Sequence, residues 1–260
     1  MPSSPWPFLD HPGPLAFAHR GGAGDWPENT MEAFENAVGL GYGYVETDVH
    51  VTSDGKLVAF HDEHLGRVTD RSAGIADLPW SEVAATPVGG TGRVPLLEDI
   101  LGAFPELKVN IDPKVDGAVE PLAAAILRTG SVDRVCVGSF SDSRLARLRA
   151  IVGDRLCSSL GPGGTAKLVA ASKGVPTGRL QAACAQLPVA VNGVAVTTPK
   201  LVAAAHDRGL QVHVWTIDDP AEMVRLLDMG VDGIMTDRCS VLRGVLEDRG
   251  QWVAASGGGR

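Results

Sequence analysis

The sequence has few cysteines, and none of them are paired at short spacing. Cys136, Cys157, Cys184 and Cys239 lie far apart with no CxxC string, which excludes the usual zinc-ribbon and thioredoxin-like spacings. Their small or apolar neighbours lead us to expect buried free thiols. No apolar run reaches the roughly 18 residues that a membrane-spanning helix requires. The opening string MPSSPWPFLDHPGP has neither the basic region nor the apolar stretch of a signal peptide. The expectation is therefore a cytoplasmic, reduced protein without a stable membrane anchor. Positive charge is also scarce: 23 Lys and Arg against 31 Asp and Glu leave a formal net charge of −8. That balance argues against a nucleic-acid partner, which needs a basic footprint. It does not exclude an anionic small molecule, because a local cluster of cations overrides the global sign. No GxGxxG follows an early strand, which counts against a dinucleotide-binding fold.

What is present is enough apolar material for one large core, at 44% of 260 residues. Strands and helices alternate along most of the chain. A proline-rich lead-in of fourteen residues is expected to be extended. Leu15–Ala18 then reads as a strand ending in His19-Arg20-Gly21-Gly22, and Pro27-Glu28-Asn29-Thr30 opens a helix with Ala33, Phe34, Ala37, Val38 and Leu40 on one face. Tyr44–Val51 alternates, with Glu46, Asp48 and His50 on one side. Further strands are expected at Leu57–Phe60, Leu107–Ile111, Val132–Gly138, Arg155–Leu160, Val194–Val196, Gln211–Trp215 and Gly233–Thr236. Repeated strand–helix units mean a parallel sheet, and about eight of them in a chain near the usual barrel length of about 250 residues favour closure. The fold class expected is α/β, a (β/α)₈ TIM barrel formed by residues 1–260 as a single domain. A small insertion follows the second strand, at about residues 51–92.

In such a barrel the carboxyl ends of all strands meet on one rim. The polar residues of interest fall at those ends. Glu46 and Asp48, two apart on a strand, point the same way, and Asp112 on a neighbouring strand can add a third carboxylate. Oxygen ligands of this kind suit a hard divalent cation, Mg²⁺ or Ca²⁺. The competing reading is a set of solvated strand-end charges or partners for Arg20. His19 and His61 each end a strand, and a pair of histidines can serve as acid and base about a phosphorus centre. Taken singly, each is more simply a structural histidine. Arg20 and Lys114 can neutralise phosphoryl oxygens or pair with the carboxylates. His50 is expected behind the mouth, His213 in the barrel interior, and His11, His64 and His206 at the surface. Trp26 and Trp80 are expected to pack within loops.

Taken together, AHRGGAGDWPENTMEAF and YVETDVHVTSDGKLVAFHD, then LGRVTDRSAG, VPLLEDIL, IDPK, VHVWTIDD and GVDGIMTD, closely resemble the glycerophosphodiester phosphodiesterases. The resemblance spans nearly the whole chain in the family's order. It is weakest at about Leu160–Val191. It implies hydrolysis of a glycerophosphodiester to glycerol 3-phosphate and an alcohol. By the same resemblance His19 and His61 are the acid/base pair, Glu46, Asp48 and Asp112 hold one divalent cation, and Arg20 and Lys114 contact phosphate. Trp215 walls the glycerol or leaving-group side, and Glu28 and Asn29 organise the loop beside His19. The family usually has Glu where this chain has Asp112, which is shorter by one methylene. Mg²⁺ versus Ca²⁺, acid versus base, direct water attack versus a cyclic phosphate, and oligomeric state are left open by these residues. Two other functions compete: a phospholipase D-like enzyme acting on lysophospholipids or sphingolipids, and a catalytically silent phosphate- or metal-binding barrel. The lipid enzyme would carry an apolar apron around the mouth, and the inserted loops are only modestly apolar.

Overall fold

The computed structural model describes residues 5–255. Eight parallel strands run in sequential order around the molecule: β1 (Leu15–His19), β2 (Tyr44–Val51), β3 (Lys108–Pro113), β4 (Val135–Val137), β5 (Cys157–Ser158), β6 (Cys184–Pro188), β7 (Gln211–Trp215) and β8 (Gly233–Thr236). β1 pairs with β8, and the ring closes between β5 and β6 through a parallel bridge at Ser159–Cys184. There Ala183 N donates to Ser158 O and Leu160 N donates to Cys184 O, each at 2.9 Å. Closure leaves the parallel sheet without a free edge. The helices between the strands are α1 (Met31–Gly39), α2 (Leu97–Ala103), α3 (Val119–Arg128), α4 (Asp142–Val152), α5 (Pro162–Ser172), α6 (Pro199–His206), α7 (Pro220–Met229) and α8 (Cys239–Asp248). Their apolar stripes pack on the outer face of the barrel in one continuous core that includes Phe34, Ile100, Leu122 and Leu242.

The insertion after β2 folds back as Leu57–Ala59, antiparallel to β2. It builds its own small core around Val58, Phe60, Leu65, Ile75 and Val83, with Trp80 packed at its side. The strand expected at Val194–Val196 is not in the barrel. Val194–Ala195 pairs with Ala190–Val191 as a small antiparallel hairpin, and the sixth barrel strand is Cys184–Pro188. Thr165–Ser172 belongs to α5. The lead-in is not simply extended either, because Pro7–Leu9 forms a turn of 3₁₀ helix that drives Phe8 into the barrel floor. Phe8 stacks there on Phe17 and meets Tyr44 edge-on, beside the buried free thiols of Cys136, Cys157 and Cys184. His11 also lies under this end, edge-on to Tyr44, and is only part-exposed. Residues 1–4 and 256–260 of the expected domain lie outside the described residues.

Candidate active site

Register brings the first three strands' polar residues together. His19 is paired with Glu46, Glu46 with Asn110, and Asp48 with Asp112, so neighbouring strand ends spaced about 4.8 Å apart present their side chains to one mouth. The turn after β1 then reverses tightly. Gly21 and Gly22 adopt φ of +84° and +97°, and a Cβ at Gly21 would stand 2.7 Å from the Ala33 Cβ. Only glycine fits such a close approach. Arg20 and Asn29 hold φ of 50° and 55°, a region that costs non-glycine residues roughly 1–3 kcal/mol unless the surroundings hold them. The Asn29 N–H donates to Arg20 O at 2.8 Å and ties the two together. Thr30 caps α1, its side chain accepting from Ala33 N at 3.2 Å.

A cavity of about 600 Å³ opens at this mouth. His19, Arg20, Glu46, Asp48, His61, Asp112, Lys114 and Trp215 all line it. Glu28 and Asn29 stand behind this lining. Asn29 Nδ2 donates to Asp48 Oδ2 at 3.3 Å, and its Oδ1 accepts from Thr47 Oγ1 at 2.8 Å. Glu28 accepts from Arg20 at 3.0 Å and is gripped by Arg67 on both oxygens, at 2.8 and 2.6 Å. His50, buried on the same strand as Glu46 and Asp48, donates from Nε2 to the His61 carbonyl at 3.0 Å and fixes that backbone.

Both histidines are oriented by carboxylates. His19 Nδ1 lies 2.6 Å from Asp237 Oδ1. Because a carboxylate accepts, the proton sits on Nδ1 and Nε2 is left to the cavity. Asp237 is itself positioned through its N–H, which donates to Asp218 Oδ1 at 2.8 Å. His61 Nδ1 lies 2.5 Å from Asp62 Oδ1, and Asp62 is held by Arg67. Burial alone would lower the His19 pKa, but Glu46, with Oε2 3.7 Å from Nε2, and Asp237 outweigh it and raise it. Asp237, Asp62 and Arg67 join the site without having been expected there from the sequence. The string GVDGIMTD and the neighbour of His61 were the only signals.

The three candidate metal carboxylates are buried at the centre of the site. Burial and the adjacent Asp48 push Glu46 up to about 7. Burial raises Asp112 as well, and its Oδ1 is enclosed without a hydrogen-bond partner. Asp48 moves the other way, since Lys114 and Arg20 outweigh its burial. Lys114 Nζ lies 2.7 Å from Asp48 Oδ1 and 2.8 Å from Asp112 Oδ2, so its ammonium bridges the pair. Arg20 Nε lies 3.3 Å from Asp48 Oδ2 without the geometry of a hydrogen bond. Among the described residues no three Cys, His, Asp or Glu side chains already converge at coordinating distance. The donor chemistry fits a hard cation all the same: three clustered carboxylates, one of them with an enclosed oxygen that has no hydrogen-bond partner.

Residues 19–241 match the sequence profile of the Glycerophosphoryl diester phosphodiesterase family. The chain belongs to that family of phosphoric diester hydrolases. It is 42% identical over 257 residues to "Probable glycerophosphodiester phosphodiesterase 2" of Mycobacterium tuberculosis, covering 95% of this chain and 96% of that one. Its fold is similar to a glycerophosphodiester phosphodiesterase from Agrobacterium tumefaciens, with a TM-score of 0.73, 24% identity and coverage of 88% and 98%. It is also similar to an Oleispira antarctica phosphodiesterase solved with its product sn-glycerol-3-phosphate, with a TM-score of 0.75, 22% identity and coverage of 90% and 97%. Enzymes of this family depend in general on a divalent metal. No helix among the described residues is long and apolar enough to cross a membrane.

Proposed function

We propose that this chain hydrolyses glycerophosphodiesters to glycerol 3-phosphate and an alcohol, using a divalent cation and the His19/His61 pair. The observation that carries the reading is the convergence of two carboxylate-oriented histidines and three buried carboxylates on one cavity. The product bound to the Oleispira relative supports glycerol 3-phosphate as the product here. Glu46, Asp48 and Asp112 would hold the cation, which when bound supplies electrophilic stabilisation of phosphoryl charge and of a hydroxyl near it. Arg20 and Lys114 place positive charge beside the phosphoryl oxygens, Arg20 through a planar fork kept in position by Glu28.

One histidine takes the proton of the attacking oxygen and the other delivers a proton to the departing alkoxide. The partners on Nδ1 suit both to this work: they fix the ring, leave Nε2 free for transfer and stabilise the charge that a proton brings. The site's charged residues address the phosphate, and Trp215 on the opposite wall presents an aromatic face to the carbons. Recognition is therefore of a glycerol-bearing diester. We predict a higher kcat/KM for glycerophosphoethanolamine than for bis(p-nitrophenyl) phosphate, despite the latter's better leaving group. Preference for the nitrophenyl diester would replace this reading with that of a general phosphodiesterase.

A further inference from the structure

The insertion after β2 places one cation behind the cavity. Leu65–Arg67 is a single turn of 3₁₀ helix whose Leu65 is fully buried in the insertion's own core. Leu65 N donates to Ala73 O and Gly89 N to Val68 O, each at 2.9 Å, so the backbone on both sides of Arg67 is fixed. A small hairpin of Pro87–Val88 and Gly92–Arg93 lies against the PENT turn, where a Cβ at Gly92 would stand 2.6 Å from Thr30 Cγ2. From this platform Arg67 reaches two carboxylates. Its Nη1 and Nη2 donate to the two oxygens of Glu28, and its Nε donates to Asp62 Oδ2. Each carboxylate has a second partner in the mouth. Glu28 Oε1 accepts from Arg20 Nη1 at 3.0 Å, and Asp62 Oδ1 lies 2.5 Å from His61 Nδ1. Arg20 and His61 line the cavity, whereas Arg67, Glu28 and Asp62 stand behind it.

We propose that Arg67 is a positioning residue that sets Arg20 and His61 together, so that a phosphate contact and a proton-transfer group share one guanidinium clamp. The inference rests on the proposed reaction and adds to it a residue that touches no reacting atom. The two histidines differ in what holds them. The partner of His19, Asp237, is fixed by its own backbone N–H, which donates to Asp218. His61 is the more exposed of the two, its side chain 34% accessible against 15% for His19, and its partner is the adjacent residue. A carboxylate held through one oxygen can swing about its side-chain bonds. With Arg67 on the other oxygen, Asp62 fixes the ring. Arg20 is likewise drawn two ways, toward Glu28 and toward Asp48, and the grip of Arg67 on Glu28 decides where its fork points. Burial alone would raise the carboxyls of Glu28 and Asp62. Arg67 and Arg20 outweigh it at Glu28, and His61 and Arg67 at Asp62, so both are lowered and the clamp is charged at neutral pH. Three donors in one plane serve two carboxylates here, which a lysine ammonium cannot copy.

The test uses the full chain and glycerophosphoethanolamine. Arg67→Ala should lower kcat/KM about 100-fold, the scale on which misplacing a reacting group slows an enzyme. The loss should be shared, with kcat reduced through His61 and KM raised through Arg20. Arg67→Lys should recover less than about tenfold of it. The Arg67 side chain is 46% exposed, so its removal opens a slot to solvent. Guanidinium ion at a non-denaturing concentration should therefore restore Arg67→Ala at least about tenfold, while sodium at the same ionic strength restores nothing. Glu28→Gln and Asp62→Asn should each lower kcat/KM, and the double variant should lose less than the product of the two losses, because either change loosens Arg67. That cycle keeps Arg67 in place and reads the clamp even if Arg67→Ala does not fold. Wild-type kinetics in folded Arg67→Ala would overturn the inference and leave the proposed reaction standing. So would a loss that guanidinium leaves unchanged, or losses that simply multiply in the double variant. No cleavage of the diester by the wild type would overturn the reaction on which the role rests.

Discussion

At the scale of single residues, the site depends on pairs in which one side chain sets the state of another. His19 and His61 each present one nitrogen to the cavity because a carboxylate holds the other. Replacing either by Ala should lower kcat by roughly 10²–10⁴, and the double variant should lose little more, because both act in one proton-transfer sequence. Asp237→Asn should also slow turnover and move whichever limb of the pH–rate profile His19 sets to lower pH, since the carboxylate that raises His19 is gone. A drop of under about tenfold in a histidine variant would make that residue structural.

Glu46 gives a second prediction, on stability in chelator. A carboxyl lifted from 4.5 to about 7 binds its proton more tightly in the folded chain. Its contribution therefore favours folding below about pH 4.5 and is lost as pH rises through about 7. Urea midpoints of the wild type and Glu46→Gln should lie close together at pH 5, with the variant the more stable at pH 8. A gap that does not change with pH would contradict the burial of an unneutralised Glu46. The ExD spacing and HRG string made Glu46, Asp48 and His19 legible in the sequence. Asp237 was not, because its partnership with His19 spans 218 residues and only barrel closure creates it.

At the scale of elements, alternation located most of the strands and helices because their apolar periods are clear. The sixth strand is the exception, and the reason is local. Val194, Ala195 and Val196 look like a strand, and Val194–Ala195 does form one, in a hairpin outside the barrel. The barrel strand Cys184–Pro188 carries a glutamine and ends in proline, which weakens its signal. That glutamine has a use: Gln186 Nε2 donates to Asn110 Oδ1 at 2.7 Å and links the β6 and β3 walls of the cavity. The PENT turn is the element on which the site most depends, since it carries Glu28 and Asn29 into place and caps α1. Thr30→Ala removes the hydroxyl that accepts from Ala33 N and donates to Pro27 O. It should cost about 1 kcal/mol of stability, the usual value of an N-cap, measured by chemical denaturation. A cost below about 0.3 kcal/mol would mean the cap hydrogen bonds are not contributing.

At the scale of the whole molecule, an acidic chain gathers positive and negative charge on one side of one mouth and lines the other side without ionisable side chains. Barrel closure makes this possible, because it sets strand ends far apart in sequence side by side. The barrel class and the meeting of His19, Glu46, Asp48 and Asp112 at one mouth were readable from strand ends. The lysine that bridges Asp48 and Asp112 supplies only part of the charge that three buried carboxylates call for, and in the proposed function a divalent cation supplies more. The direct test is hydrolysis of glycerophosphoethanolamine by wild type and Asp48→Asn, in EDTA and after adding back Mg²⁺ or Ca²⁺. EDTA should abolish wild-type turnover, one of the two ions should restore it, and Asp48→Asn should stay inactive with either. Full turnover in EDTA by protein in which no bound metal is detected would contradict the proposed metal dependence.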